Sequence, residues 1–499
     1  KIWLFSLLIL NTVQAQNRYS KVYFPGENFP SIAETDSGYV VMVASNIVLN
    51  RLLIREFNNQ GNLLLSDSVD FNGVIDNKGH SIHRISSNSY IFAQTVFYNG
   101  DSTRISLLKF NSKNWDTVKS AEFKFGLLKD PTVKSLEPSI DSAKFVLTGN
   151  SSIPGVLVNL DLLLAQFDTS FNLIWEKTYS DNLVNANGGI QGGAVLQSKD
   201  KGWIMSTFSD YLNSFRKGFI LKTDSIGNEL WRKEILSNQP TVFNNIIEKT
   251  DGSYLSFGRE LVVDQGGFPS DIEQLRFVNF HSNGQIILDT LIGPKLQYFG
   301  VTRVLKLTRG DLLVLGITYE GGQSQGLIYR CTENGDSIWM RKYYYDDWQD
   351  LSQIYTGTVQ KDSSIVLAGA FADQVNTQTG GIYLWLLGLD KYGCLQPGCH
   401  NIGVDELLIP KTPNFEIYPK PSSGELKITW NQKKEARNFP LDLEIIGLDG
   451  KVILKRKIHE HSGKEFSTKL PGHISNGTYI IVLSSNEKVL LRDQFSLMR

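Results

Sequence analysis

The chain has 499 residues, 41% hydrophobic, 11% aromatic and 20% charged, with a net charge of −1. Such a composition suits packed globular domains and excludes an intrinsically disordered chain, which is too polar to bury a core. Residues 414–499 hold 14 Lys+Arg against 10 Asp+Glu, a balance of +4 that leaves −5 elsewhere; neither part has the basic excess that phosphate binding needs, so no nucleic-acid partner is expected.

At the front, Lys1 precedes the apolar run Ile2 to Leu10, and Val13-Gln14-Ala15 places small residues where a signal peptidase reads. Residues 1–15 are therefore expected to be a signal peptide, cut before Gln16. The run is too short for a membrane helix, and no later run reaches the required length, so no transmembrane segment is expected.

Residues 16–400 repeat. One turn recurs seven times, at Phe57 to Leu63, Phe110 to Trp115, Phe167 to Trp175, Thr223 to Trp231, Phe280 to Gly284, Thr332 to Trp339 and Leu389 to Cys394. Its turn residues are Gly61, Asn114, Phe171, Gly227, Gly284, Gly335 and Gly393, spaced 51 to 58 apart. That period is too long for a one-hairpin coil and fits a four-stranded propeller blade. The fifth copy shows the plan: a strand Val242 to Glu248, a tight turn Lys249 to Ser253, a strand Tyr254 to Gly258, a longer loop, a strand Leu275 to Phe280, the recurring turn, and a strand Gln285 to Leu291. Sister second strands are Gly202 to Ser206, Asp311 to Gly316 and Ser364 to Gly369. The fold class is all-β, a seven-bladed β-propeller. Such repeats resemble secreted Bacteroidetes propellers that precede a sorting domain.

Four residues beyond each turn position stand Leu65, Val118, Trp175, Trp231, Leu288, Trp339 and Pro397. Large apolar side chains there are expected to fill the wedge between neighbouring blades, with Trp175, Trp231 and Trp339 largely buried. The seventh copy departs from the pattern: Pro397 cannot donate to a ladder, so this copy lacks a fourth strand of its own. The segment Asn17 to Tyr23 matches the fourth-strand pattern of Ile174 to Tyr179 and Ile338 to Tyr343. Residues 17–24 are therefore expected to complete the last blade and close the ring.

Cys394 and Cys399 bracket Pro397 and, in an exported chain, are expected to form a disulfide; Cys331 is expected to be a buried small hydrophobe. His80 and His83 stand at a spacing that a strand turns to opposite faces, so they make a poor metal pair. No catalytic, metal or cofactor set is expected. Neither a Ser-nucleophile elbow, a calcium loop nor a phosphate-binding glycine loop occurs in the sequence.

Ligand contacts are expected on the face that carries the longer loops, those after strands two and four. Tyr344, Tyr345, Asp346, Asp347 and Trp348 lead the candidates, with Tyr298 and Tyr211, because aromatic faces beside carboxylates suit a glycan or protein ligand. A non-enzymatic binding module is the favoured class; a propeller-type glycan hydrolase or lyase is the alternative. Several acidic residues converging with Arg or His at the central axis would favour the enzyme.

Residues 401–413 read as a linker. From 414 to 499, about seven short β-rich runs alternate with turn residues, which predicts a small immunoglobulin-like β-sandwich. Tyr418-Pro419-Lys420-Pro421-Ser422-Ser423-Gly424, Asp449-Gly450-Lys451 and Asn476-Gly477-Thr478-Tyr479 stand in order along it. In these residues the tail resembles the C-terminal sorting domain of Bacteroidetes type IX secretion cargo, Lys420 departing from that family's usual Asn. The resemblance implies that Tyr418, Pro419, Pro421, Gly424, Asp449, Gly450, Lys451, Gly477 and Tyr479 form the sorting motif. It also implies that the partner is the type IX machinery and that the mature protein is secreted or attached to the cell surface.

Overall fold

The computed structural model describes residues 18–498 except 26, 46–49, 73, 99–101, 126–128, 153–159, 181–187, 212–215, 238, 264–268, 308–309, 321–322, 346–350, 373–381, 396–414, 420–421, 431–440, 448–451, 459–464, 473 and 486–487. The expected signal peptide, the linker, Asp346, Asp347, Trp348, Cys399, Pro421 and the turn Asp449 to Lys451 therefore lie outside the described residues.

The protein is all-β. Before residue 396 the described strands form seven four-stranded antiparallel sheets with the layout of propeller blades. In six of them four consecutive strands run from innermost to outermost. In the seventh the order is Leu351–Val359, Ile365–Ala372, Ile382–Leu389 and then Tyr19–Pro25, from the other end of the chain. The innermost strands are Glu27–Glu34, Val74–Ser86, Lys129–Pro138, Gly188–Gln197, Thr241–Glu248, Gly300–Lys306 and Leu351–Val359. Each packs against the innermost strands on either side, and Glu27–Glu34 packs against the seventh sheet, so the sheets close into a ring.

This arrangement explains the strand composition. Second strands such as Ile365–Ala372 are near-continuous apolar runs because neighbouring sheets cover both of their faces, and almost every residue in that strand is buried. Fourth strands such as Leu173–Tyr179 are mostly exposed, since only one edge and part of one face meet protein.

The recurring turn has a local cause. Asp168 Oδ1 accepts from the backbone N–H of Ser170 and Asn172 at 2.8 and 2.9 Å, and the same side-chain cap recurs at Asp224 and Asp390. The fourth residue of the turn then takes a positive φ, 81° at Gly227. In the second copy the turn is one residue longer, and the residue at positive φ is its fifth, Trp115 at 58°, and not Asn114 as the alignment places it.

The wedge expectation needs correcting. Trp175, Trp231 and Trp339 are only half-buried, while Leu288 and Val118 are 40% and 62% exposed. Each tryptophan lies instead on the turn glycine of the next sheet. A Cβ on Gly227 would stand 2.8 Å from Trp175 Cζ3, one on Gly284 3.0 Å from Trp231 Cε3, and one on Gly393 2.5 Å from Trp339 Cη2. Tyr19 covers Gly61 in the same way at the seam between the seventh and first sheets. Tyr179 and Tyr343, four residues further along, donate their hydroxyls to the carbonyls of Gly227 and Gly393 at 2.6 and 2.7 Å. At two seams the turn residue itself is large: Trp115 and Phe171 are buried in left-handed conformations. At Gly335 the nearest side chains are Ile292 and Phe277.

Gly227→Ala is accordingly expected to cost about 2–3 kcal/mol, about half from the left-handed backbone and the rest from overlap with Trp175. Only the overlap should disappear in a Trp175→Ala background, so urea midpoints of the four proteins in the cycle should show coupling. Strict additivity would show that the two residues do not meet.

The tail folds separately in sequence, as two packed sheets. Phe415–Tyr418, Glu425–Trp430 and Glu465–Lys469 form one; Leu441–Gly447, Val452–Ile458, Gly477–Ser485 and Lys488–Leu497 form the other. Ile417, Leu426 and Ile428 meet Leu443, Ile445, Ile481 and Leu483 in a single core.

Candidate functional site

Each innermost strand carries a β-bulge at the same level. The register slips at residues 29–30, His80, Lys134, Gly192 with Gly193, Asn244, Thr302 and Tyr355. A bulge leaves an extra residue unpaired and re-aims its side chain. In a ring the innermost edge faces the axis, so the bulges turn polar groups into the axial space. The resulting cavity, about 720 Å³, is lined from all seven sheets, with Pro30, Lys134, Asn244, Thr302 and Tyr355 contributed by the bulges.

This bulge pattern went unread in the sequence, although a signal for it exists. Second strands repeat a glycine opposite the bulge, at Gly149, Gly258, Gly316 and Gly369. A Cβ at Gly149 would overlap the Thr132 carbonyl oxygen, and one at Gly369 the Gln353 carbonyl. These glycines let the bulged strand approach closely.

Just past the bulges the cavity gathers His83, Glu137 and Arg303. Arg303 donates to Thr356 Oγ1 at 3.3 Å and, among the described residues, has no ion-pair partner. Burial acts against its charge and the nearby Glu137 supports it, but a guanidinium stays cationic. The Glu137 carboxyl is pushed up to about 7, because burial disfavours the carboxylate more than the Arg303 charge favours it. His83 is held down to about 3 by burial, with Arg303 adding repulsion, so it is neutral. Its Nε2 lies 2.9 Å from Ser81 Oγ, and it makes a backbone hydrogen bond with Leu136. Arg303, Glu137 and His83 thus bring a cation, a carboxyl poised near neutrality and a neutral imidazole to one part of the cavity.

Both shifts predict a pH response. His83 is neutral in the fold, so the unfolded chain binds the extra proton below pH 6.5, and stability present above that value is lost as pH falls toward about 3. Glu137 has the opposite sign: its raised value makes stability fall as pH rises from 4.5 through about 7. His83→Gln should flatten the acid limb of a stability profile and Glu137→Gln the other limb, read by urea unfolding from pH 4 to 8. Unchanged slopes would place both groups in water.

The loop candidates occupy varied positions. Tyr344 is buried, and Tyr345 is half-buried with its ring centroid 4.9 Å from Phe371. Tyr211 closes the strand Trp203–Tyr211 opposite Gly188. Tyr298 is half-buried 5.0 Å from Tyr319, with the Arg259 guanidinium 4.6 Å from its ring; Arg259 in turn pairs with Glu273 at 2.7 Å. Burial pushes the Tyr355 hydroxyl up to about 12, with Tyr319 and Tyr298 adding to the shift. Cys394 and Cys331 are buried, and burial pushes the Cys331 thiol up to about 12.

In the tail, the turn that follows Tyr418 is tied to the last strand. Ser422 N–H donates to the Ser496 carbonyl and Met498 N–H to the Ser422 carbonyl, both at 2.8 Å. Gly424 takes φ 117°, and Ser422 Oγ caps the turn by donating to the Glu425 carbonyl at 2.8 Å. Tyr479 packs 5.9 Å from Phe495, and its hydroxyl donates to the Ser475 carbonyl at 2.7 Å. The opening motif, the Gly-x-Tyr strand and the C-terminal strand therefore form one connected surface.

Residues 416–494 match the family of secretion system C-terminal sorting domains. Such a tail engages the type IX machinery and directs the protein out of the cell, to be surface-attached or released. No curated protein matches the chain in sequence. Among solved structures it is similar to the β-propeller domain of the trilobed protease from Pyrococcus furiosus, at 12% identity over 73% of this chain and 95% of that one, TM-score 0.42. An α-L-arabinanase from Penicillium chrysogenum complexed with arabinobiose is similar at 11% identity over 74% and 97%, TM-score 0.39. An α-L-arabinofuranosidase from Fusarium graminearum is similar at 13% identity over 63% and 92%, TM-score 0.43.

Proposed function

We propose that the mature protein is an exported seven-bladed β-propeller, residues 16–400, joined by the linker 401–413 to an immunoglobulin-like sorting sandwich, residues 414–499. Its work outside the cell is binding rather than catalysis, and the axial cavity is where a polar ligand, glycan or peptide, docks. A disulfide between Cys394 and Cys399 pins the end of the seventh blade.

The observation that carries this reading is the axial group itself. Arg303 sits deep in the ring without an ion-pair partner among the described residues, and Glu137 faces the same space. A half-buried charge without a partner has lost part of its hydration, and a ligand that supplies the partner recovers that cost on binding. Hydrolysis of a glycosidic bond needs two carboxyl groups flanking it. Among the described residues lining the cavity the carboxyls are Glu137 and Glu248, and Glu248 pairs outward with Lys199 at 3.2 Å. One observation favours the second reading, a glycan-active hydrolase or lyase: Glu137, at about 7, is poised for proton transfer.

Glycan and peptide arrays probed with residues 16–499 test the proposal. A hit weakened by Arg303→Gln is expected, with the bound glycan recovered intact. A hit that Arg303→Gln leaves unchanged would move the site off the axis. Cleaved glycan, absent with Glu137→Gln, would establish the enzyme.

A further inference from the structure

We propose that the axial cavity selects ligands in which a carboxylate stands beside hydroxyl groups, an acidic sugar unit, with Arg303 and Lys134 taking the carboxylate and Glu137 taking the hydroxyls. The inference rests on the axial cavity being the binding site and adds the chemistry of its occupant.

Arg303 carries the argument. A guanidinium has five N–H donors in a planar fork, and here the hydrogen bond to Thr356 Oγ1, at 3.3 Å, accounts for one of them. Glu137 attracts Arg303 electrostatically, yet the two form no ion pair within contact distance, so a gap separates guanidinium from carboxyl. A planar carboxylate fits the fork in two-point fashion, which a neutral hydroxyl cannot do. Lys134, the bulge residue of its strand, lines the same space. The lining also holds Lys306, which pairs outward with Glu333 at 2.7 Å, so its charge is largely spent there.

The rest of the ligand follows from the opposite wall. The Glu137 carboxyl has no side-chain hydrogen bond among the described residues; near neutrality its protonated form can both donate to and accept from hydroxyl groups. His83, oriented by Ser81 and Leu136, adds a neutral imidazole. Tyr355 lines the same cavity and supplies an aromatic ring for the C–H surface of a sugar. A bare inorganic anion would leave this polar and aromatic wall unused, and a neutral sugar would leave the guanidinium fork unfilled.

The groups facing Glu137 are Lys134 on its own strand, His83 on Val74–Ser86 and Arg303 on Gly300–Lys306; Glu248, Lys306 and Tyr355 line the same cavity. A bound anion adds negative charge beside Glu137 and so favours its protonated form. Binding therefore takes up a proton, and affinity should rise as pH falls from about 8 to about 6 while the ligand carboxylate stays ionised.

The test uses trigalacturonate and its methyl ester, which share every hydroxyl and differ in charge, titrated calorimetrically into residues 16–499. Trigalacturonate is expected to bind at least about 10-fold tighter than the ester. Arg303→Gln should weaken it about 10- to 100-fold, with Arg303→Lys recovering part of the loss. Glu137→Gln should flatten the pH dependence of the affinity between about pH 8 and pH 6. Thermal melts of each variant show whether it is folded, and the Arg303→Lys partial recovery stands if Arg303→Gln fails to fold. Equal affinity for acid and ester, or failure of both to bind, overturns the acidic-ligand inference. Equal affinity that Arg303→Gln still lowers for both leaves the axial site in place, whereas trigalacturonate binding that no cavity substitution changes overturns the site as well.

Discussion

Deleting residues 16–24 is expected to lower the melting temperature by roughly 10 °C or more and to make the protein aggregate on heating. The segment contains all but the last residue of Tyr19–Pro25, the outer strand of the seventh sheet. Tyr19 to Pro25 pairs antiparallel with Tyr383 to Gly388. Arg18 forms a 2.6 Å ion pair with Asp390, whose side chain is 1% exposed, and losing one partner of a pair buried on one side strands the other. Ser20 Oγ accepts from Trp385 Nε1 at 3.0 Å, the Tyr19 hydroxyl meets that of Tyr39 at 2.6 Å, and the Tyr23 hydroxyl bonds the Gly61 carbonyl. The strand therefore completes one sheet and also joins the seventh to the first. Its loss exposes the edge of Ile382–Leu389, an apolar strand whose last six residues are buried, and an unpaired apolar edge recruits other chains. Calorimetry with light scattering checks this result. An unchanged melting temperature would mean that the ring holds without its closing strand.

Removing residues 414–499 is expected to leave the protein in the periplasm of a host with a working type IX system, with its extracellular fraction falling to background. The basis is the sorting-domain match at 416–494 and the self-contained core that Ile417, Leu426 and Ile428 build with Leu443, Ile481 and Leu483. A domain with its own core can be gripped without unfolding its neighbour. Fusing residues 401–499 to a periplasmic reporter should carry the reporter outside, and immunoblots of cell fractions read both experiments. A reporter that stays in the periplasm would defeat the assignment. Loosening the tie between the opening motif and the last strand should impair export more mildly: Gly424→Val strains a backbone at φ 117° and disturbs the turn that Ser422 anchors to Ser496.

Which parts of this protein could be read from the sequence follows from the range of the forces involved. The recurring turn was legible because its cause lies within five residues: an Asp or Asn side chain caps two backbone N–H groups, and the fourth residue needs a positive φ. The pairing of Tyr19–Pro25 with Ile382–Leu389 was legible for a related reason, since Asn17 to Tyr23 repeats the aromatic spacing of the other outer strands. The role of Trp175, Trp231 and Trp339 was not. A tryptophan on an exposed strand looks the same in sequence whether it fills a wedge or covers a glycine, and the covered glycine belongs to the next sheet.

The axial site shows the same division most sharply. The strands, the tight turns, the sorting domain and the export route are legible along the chain, because each depends on local backbone preference or on a short pattern. The axial group is not. His83, Glu137 and Arg303 belong to three different sheets, and no spacing along the chain relates them. They meet because each innermost strand bulges at the same level and the ring points every innermost edge at one axis, a convergence produced by closure of the whole ring.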